Sequence, residues 1–526
     1  MKKLLGLISL SLAVTVSFAQ DLDSKYAEQI KAADLKKYLT VIAGDEMEGR
    51  ETGTEGQRKA AAYIESQFRE IGLQSVSSLK GYQQYYPLWQ DSLQTATFSV
   101  NGKDAEYGKD FIVSLSQNEI GMFKSKKMAF VGYGIDDPKY SDYNDIDVKG
   151  KVVIFFLGEP KAADGKYIIS GTKRGSEWTF PGIGKKLAAA AAKGAVGAIY
   201  ISPNQETFSQ RAIDNAKKTN VYYPRPNADG KKVNGVQITH AFARTIFAND
   251  MDTLLKHAKA GQALDKFSIA GKWKTKFELG KNRNVINASN VLGYIEGTDK
   301  KDEYVFLTGH YDHLGKHDGK IYYGADDDGS GTCAVLEMAK TFMQAVKDGN
   351  RPRRTIVFMT VSGEEKGLLG SEFYSDNPVF NLDKTTVDLN TDMVGRVDTE
   401  RKTGDTLNYV YVIGHDKLSS DLPIINEAAN KKHAGLVLDY KFDDPSDPNQ
   451  IYFRSDHYNF ARKGVPILFF YDGMLKSDYH QPTDTIDKIY WDLYEKRVRM
   501  IFGTAWEMAN RNDMLKRDTP LNMGSR

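Results

Sequence analysis

Tyr304–Thr332 reads YVFLTGHYDHLGKHDGKIYYGADDDGSGT, and the fold turns on how its two halves join. Val305, Phe306 and Leu307 form the kind of apolar run that makes a short buried strand, and His310 and Asp312 fall where that strand should end. An acidic triplet, Asp326, Asp327 and Asp328, follows. Behind it Gly329 and Gly331 loosen the backbone before Cys333, Leu336, Met338 and Phe342 begin a helix. An imidazole and several carboxylates are thus concentrated at one strand-to-helix junction, where open α/β sheets bind their ligands. The pattern predicts half of a metal site. Two other readings compete with it. Asp and Gly are also the residues that turns prefer, and Asp326, Asp328, Ser330, Gly331 and Glu337 fall on the EF-hand spacing. A calcium loop needs an entering helix, however, and Gly319–Gly324 is short, glycine-bounded and aromatic.

Working outward, apolar strands recur with helical segments between them. Asn290–Ile295 leads into the quoted stretch, Thr355–Val361 ends in Ser362-Gly363-Glu364-Glu365, and Val387–Leu389 runs into Asn390-Thr391-Asp392. Val465–Tyr471 is followed by a loop that delivers Asp478-Tyr479-His480-Gln481-Pro482. Helical patterns cover Thr332–Val346 and Ser420–Ala429. Strand alternating with helix predicts a mostly parallel sheet covered on both faces. In such a sheet His310, Glu364 with Glu365, Asp392 and His480 emerge at one edge and can converge. Any one of them alone would be a surface or turn residue; four strand ends carrying ligand chemistry together are harder to obtain as background.

Lys2 and Lys3 precede an uncharged apolar run, Leu4–Phe18, that closes in Ser17-Phe18-Ala19. That is the pattern of a signal peptide cut after Ala19, and the run is shorter than the roughly 20 residues of a spanning helix. The expectation is an exported protein, periplasmic or extracellular, without stable membrane insertion. Cys333 is the only cysteine, which rules out an intramolecular disulfide. With 526 residues there is length for two or three domains. A formal charge of +2 with 27% charged residues gives no basis for a nucleic-acid or anionic-membrane partner.

Glu55–Leu73 carries Ala61, Ile64, Phe68 and Ile71 at helical spacing and predicts an amphipathic helix; before it lies the polar loop Asp45–Thr54. From about Lys124 to Lys281 the chain changes to strands, glycines and tyrosines. Met128–Gly134, Val152–Leu157 and Val196–Ile201 read as strands and Lys185–Lys193 as an alanine-rich helix. His240 and His257 have no acidic neighbours in sequence, and no ligand spacing occurs there. Residues 124–281 therefore read as a non-catalytic insert between two parts of one other domain, at 20–123 and 282–526.

Taken together, GHYDHLG, GADDDGSG, SGEEKGLLGS, NTDMVG and YHQPTDT resemble, in that order, the motifs of the M28 family of zinc aminopeptidases. EMEGRETGTEG and the helix after it resemble the family's N-terminal segment. The insert resembles a protease-associated (PA) domain, from VGYGI through DIDVKGKVVIFF to KLAAAAAKGAVGAIYIS. The resemblance implies a mostly parallel α/β/α zinc-peptidase domain with an inserted β-rich PA-like domain, acting on peptide substrates with two Zn²⁺ per chain. It makes Asp327 the carboxylate shared by one zinc on His310 and Asp392 and a second on Glu365 and His480, with Glu364 the general base. The chemistry is consistent with this split: neighbouring cations need a shared acidic ligand, and a carboxylate not tied to metal must move the proton. Asp312 is suited to fix the His310 tautomer, and Tyr479 to donate to a developing oxyanion. His313, His317, Asp326 and Asp328 are spare candidates. Unassigned acids, Asp456 and Asp478 among them, are available for a substrate α-ammonium group, whereas Arg454 and Arg396 are the few cations for a carboxypeptidase clamp. An aminopeptidase is the expected activity. The alternatives are a carboxypeptidase or dipeptidase on the same fold, a one-zinc glutaminyl cyclase, or a binding protein that has lost its chemistry.

Overall fold

A computed structural model describes residues 22–224, 230–269 and 271–522. The expected signal peptide lies outside the described residues. Two units are formed, one from Met1–Leu88 with Ile286–Arg526, the other from Trp89–Val285.

In the first unit, strand Lys300–His310 lies at the centre of the sheet. It pairs in parallel with Arg354–Val361 on one side and Thr385–Thr391 on the other. Ile467–Tyr471 continues the sheet in parallel beyond Thr385–Thr391, and Tyr409–Ile413 then joins antiparallel with Val437–Asp439 beside it. On the far side, Val291–Ile295 runs antiparallel to Arg354–Val361. Successive side chains of a strand point to opposite faces, so a strand buried on both sides is apolar throughout. Val305 and Leu307 enter one core with Ile356, Phe358, Val387 and Leu389, while Phe306 enters the other with Val357, Met359 and Phe469. Helices Gly329–Lys347, Trp491–Asn510, Ala32–Ile42 and Glu55–Ile71 cover the first face. Phe342 packs there against Phe502 and Trp506, with ring centroids 4.5 and 5.7 Å apart. Tyr374, Phe453 and Phe460 cover the second. This is the three-layered, mostly parallel sheet that the strand-helix alternation predicts.

Register decides which chain ends meet. Thr308 is level with Asn390 and His310 with Val361, so His310 and Asp392 emerge side by side and Glu364 follows three residues beyond the same edge. Two glycines permit this crowding. A Cβ on Gly331, in the first turn of helix Gly329–Lys347, would lie 2.0 Å from the Thr391 carbonyl oxygen. Gly363 takes φ +76°, where a Cβ would be strained and only 3.0 Å from Leu369 and the Tyr86 hydroxyl, turning the chain so that the two glutamates follow the strand at once. In place of a calcium-loop entering helix, Gly315–His317 and Lys320–Tyr322 form a small antiparallel hairpin.

The second unit holds a five-stranded sheet in the order Phe111–Ile112, Gly235–Ile238, Gly197–Ile201, Val152–Phe156, Met128–Phe130. All its pairings are parallel except the first. Val152, Ile154 and Phe156 face one core, Val153 and Phe155 another. Helices Ile183–Ala192, His240–Phe247 and Met251–Ala260 accompany these strands. The unit begins at Trp89, well before the expected Lys124, because Phe98, Val100, Phe111, Val113 and Leu115 bury themselves in this second core. His240 is buried, its Nε2 2.8 Å from the Ser202 carbonyl oxygen, and His257 packs on Phe267.

Candidate metal centre and pocket

Four strand ends of the first unit bring His310, Asp327, Glu364, Glu365, Asp392 and His480 together. Asp327 sits in the middle and divides its oxygens. Oδ1 is 3.4 Å from His310 Nε2 and Oδ2 is 3.1 Å from His480 Nε2. Asp392 Oδ1 lies 3.5 Å from the same His310 nitrogen, and Glu365 Oε2 lies 3.1 Å from the His480 nitrogen. Glu364 stands slightly apart, with Oε2 3.9 Å from His310 Nε2, and borders an open pocket with Tyr479.

The three consecutive aspartates do different work. Asp328 accepts hydrogen bonds from the backbone N–H groups of Gly331 (2.7 Å), His310 (3.0 Å) and Met393 (3.1 Å), capping the helix and tying it to two strand ends. Asp326 accepts from Gly395 N–H and leans on Asp472; burial and that second carboxylate hold its own carboxyl well above the usual range. Asp327 has no such backbone duty on its side chain. Its own N–H and that of Asp326 are donated to the buried Asp484 carboxylate. Thus only the middle carboxylate is left to face the histidines.

His310 is oriented from behind, though not by the group expected. Its Nδ1 is 3.1 Å from the backbone carbonyl oxygen of Asp312, whereas the Asp312 carboxylate is 3.7 Å away. That carboxylate instead accepts from the Thr52 hydroxyl (2.6 Å) and the Glu364 N–H (3.2 Å), so it fixes the glutamate loop. With the Nδ1 proton pointed at a carbonyl, it is the Nε2 proton, toward Asp327 and Asp392, that the ring would give up to a cation.

The donor set fits divalent cations. Asp327 Oδ2, Glu365 Oε1 and both ring nitrogens of His313 are buried without a well-aligned hydrogen bond, although Asp327 Oδ2 is 3.1 Å from His480 Nε2 and His313 Nδ1 is 2.8 Å from Glu365 Oε1. Such orphaned groups are costly unless something unseen in the protein partners them. Electrostatics carries the same message. Burial disfavours charge on His480, but the hydrogen bonds its ring N–H donates to Asp327 and Glu365 outweigh it and hold the imidazole at about 10. Burial likewise works against Glu365, yet its His313 and His480 partners bring it down to about 2 despite the repulsion of Asp327. Burial, with Glu365, Asp392 and Asp456 nearby, pushes Glu364 well up. Protons on histidines therefore balance the carboxylates where no metal does, and cations would replace them.

His313, a spare candidate in the sequence, has Nδ1 2.8 Å from Glu365 Oε1. His317 is exposed, with Nε2 2.6 Å from the Leu314 carbonyl oxygen, away from the cluster. The acids expected to be free are spent. Asp456 is fully buried and accepts from the Ser371 hydroxyl, and Asp478 pairs with Arg396 (2.8 Å) and Lys488 (2.6 Å). Arg396 is engaged as well. Tyr479 stacks on His480 at 3.8 Å between centroids, and its phenol oxygen accepts a 2.9 Å hydrogen bond from Arg454. Supporting residues without a motif of their own also matter. Buried Arg50 donates to the carbonyls of Ile42, Tyr311, Tyr323 and Gly324, pinning the loops on either side of the hairpin. A separate cluster, His415, Asp416 and Asp443, already holds the Lys417 ammonium 3.1 Å from Asp443, which leaves no vacancy for a metal.

The sequence profile described as Peptidase family M28 matches residues 290–505. Over residues 290–505 the chain is similar to peptidase family M28. The matched region contains every candidate ligand. Relatives include a glutamate carboxypeptidase 2 homolog of Caenorhabditis elegans, 25% identical over 405 residues that cover 68% of this chain and 50% of that protein. A probable leucine aminopeptidase of Trichophyton verrucosum is 28% identical over 216 residues, 40% of this chain and 55% of that one. The chain spans about half the length of the curated relatives it matches. Among solved structures, an aminopeptidase from Aneurinibacillus sp. strain AM-1 shares the fold with a TM-score of 0.50 at 20% identity, covering 95% of this chain and 99% of that one.

Proposed function

We propose that this chain is an exported, zinc-dependent aminopeptidase that removes N-terminal residues from peptides using two metal ions. The observation that carries the two-metal reading is the division of Asp327, one oxygen toward His310 and the other toward His480. One cation is assigned to His310, Asp392 and Asp327, the other to Glu365, His480 and Asp327. His313 steadies Glu365. Cations held by these residues would supply Lewis acidity to a peptide carbonyl and a nucleophilic water at neutral pH. Glu364, on the pocket side of the cluster, takes the proton of the attacking water and passes it to the leaving amine. Tyr479 donates its O–H to the carbonyl oxygen as negative charge develops there. Met393, Ile451, Phe469 and Leu475 line the same pocket and favour an apolar substrate side chain. The substrate ammonium group is left with Asp327, Glu364 and Asp392 as its acidic neighbours, because Asp456 and Asp478 are engaged elsewhere. The apolar run Leu4–Phe18 supports export, and the Trp89–Val285 unit is assigned as a PA-like insert.

One observation favours a second reading, a carboxypeptidase or dipeptidase. Arg454 lines the pocket and forms no ion pair with a carboxylate among the described residues. Leucyl-4-nitroanilide and its N-acetyl derivative separate end preference: the free amine is expected to be cleaved and the acetylated substrate spared. Equal cleavage of both sinks the aminopeptidase reading, and loss of dipeptide cleavage on C-terminal amidation puts the second in its place.

A further inference from the structure

Ile451–His457 is buried at every position except Arg454. Its neighbours are anchored: Asn390 donates to the Ser455 hydroxyl oxygen (2.8 Å), Ser371 to Asp456, and His457 Nε2 is 2.8 Å from the Tyr452 carbonyl oxygen. The base of the arginine side chain is therefore fixed, and its guanidinium is delivered to the pocket bordered by Asp327, Glu364 and Asp392. There Nη2 donates to the Tyr479 phenol oxygen at 2.9 Å. The tyrosine ring is held a second time by its stack on His480.

A phenol oxygen carries one proton and accepts with its lone pairs. With Arg454 on the accepting side, the Tyr479 proton cannot point at the guanidinium. Among the described residues no acceptor takes it, and the pocket is the side left to it. Donation from a cation also strengthens the phenol as a donor, since hydrogen bonds in a chain polarise one another. We infer that Arg454 is a positioning residue: it fixes the Tyr479 hydroxyl so that its proton is presented to the carbonyl oxygen that becomes negative during attack. The inference rests on the peptidase reading above. It gives Arg454 a different task from that of a clamp for a substrate carboxylate, which would act in the ground state and would not pass through Tyr479.

The two tasks separate in a double-mutant cycle on the zinc-loaded, full-length protein with leucyl-4-nitroanilide. Tyr479→Phe is expected to lower kcat by roughly 100-fold, as for loss of one oxyanion donor, with KM changed less than about 3-fold. Arg454→Met is expected to lower kcat by about 10–30-fold in the native background but by no more than about 2-fold in the Tyr479→Phe background. Arg454→Lys, which keeps a cationic donor, should recover part of the loss. A readout independent of turnover is calorimetric binding of the boronic acid analogue of leucine, whose boron becomes a tetrahedral anion. Both single variants should weaken it by the same factors while leaving leucine binding unchanged. Zinc content, measured alongside, should equal that of the native protein. A rise in KM at constant kcat for Arg454→Met, an equal kcat loss in both backgrounds, or loss of zinc overturns the inference. A native protein that binds zinc and the boronate but cleaves no free aminoacyl substrate refutes the proposed function instead.

Discussion

Asp328→Ala should unfold the centre of the first unit more readily while Asp327→Ala empties it of metal. The Asp328 side chain receives three buried N–H groups, those of Gly331, His310 and Met393, and caps helix Gly329–Lys347. Removing it leaves three donors without partners in a region with no water access. At about 1–3 kcal/mol for each unsatisfied buried donor, less whatever the loop recovers by relaxing, the loss is roughly 3–5 kcal/mol. Calorimetry at about 2 °C per kcal/mol for a unit of this size then predicts a fall of about 6–10 °C in its transition. Asp327 accepts no backbone N–H with its side chain, so Asp327→Ala costs only its contacts with His310 and His480 and should move the metal-free transition far less. Zinc retention runs the other way. The Asp327 variant should lose most bound zinc, because one oxygen is withdrawn from each half of the cluster. The division of labour is refuted if metal-free Asp327→Ala is destabilised as much as Asp328→Ala, or if a folded Asp326→Ala loses as much zinc as Asp327→Ala.

Glu364→Gln should retain zinc and lower kcat by about 100-fold or more, the loss typical of a general base. Should Glu364→Gln lose metal while Glu365→Gln keeps it, the two glutamates have been assigned in reverse. Zinc binding should also release protons. With His480 held at about 10 and His310 raised above its ordinary value by Asp392 and Glu364 against the pull of burial, both imidazoles are protonated at pH 7 in metal-free protein. Each must lose a proton to ligate, so zinc affinity rises with pH up to about 10. The stability that His480 lends to the metal-free protein has the opposite sign: it is complete below about 6.5, the unfolded value, and lost as pH rises through about 10. Calorimetry at pH 7 in buffers of different ionisation enthalpy should give about two protons per fully loaded chain; none released contradicts the assignment of both histidines.

The sheet of the first unit was legible because its strands are apolar on both faces, and Val305–Leu307, Thr355–Val361 and Val465–Tyr471 stand out from polar loops. His310, Glu364, Glu365 and Asp392 were legible as candidates because they follow those strands directly, and His480 because the loop after Val465–Tyr471 carries it. Less was visible where a residue's partner is remote in sequence. The carboxylate of Asp484 receives Asp326 and Asp327 from more than 150 positions away, and Arg50 reaches carbonyls at Tyr311 and Gly324. Nothing local in a PTDT or EGRE segment says so. Which aspartate of the triplet faces the histidines is likewise a matter of backbone N–H geometry, as is the spending of Asp456 and Asp478 on neighbours. That the second unit starts at Trp89 and not near Lys124 has a related reason. Gln83–Val100 is one continuous strand, and an apolar residue within it does not announce which of two cores it enters.

The shared role of Asp327 is tested most directly by stepwise zinc reconstitution of chelated protein, with bound metal and leucyl-4-nitroanilide hydrolysis measured on the same samples. Zinc should bind to two equivalents per chain in the native protein, with hydrolysis complete at the second. Full hydrolysis at one equivalent, or two tightly bound equivalents in Asp327→Ala, would contradict a pair of cations held by one carboxylate.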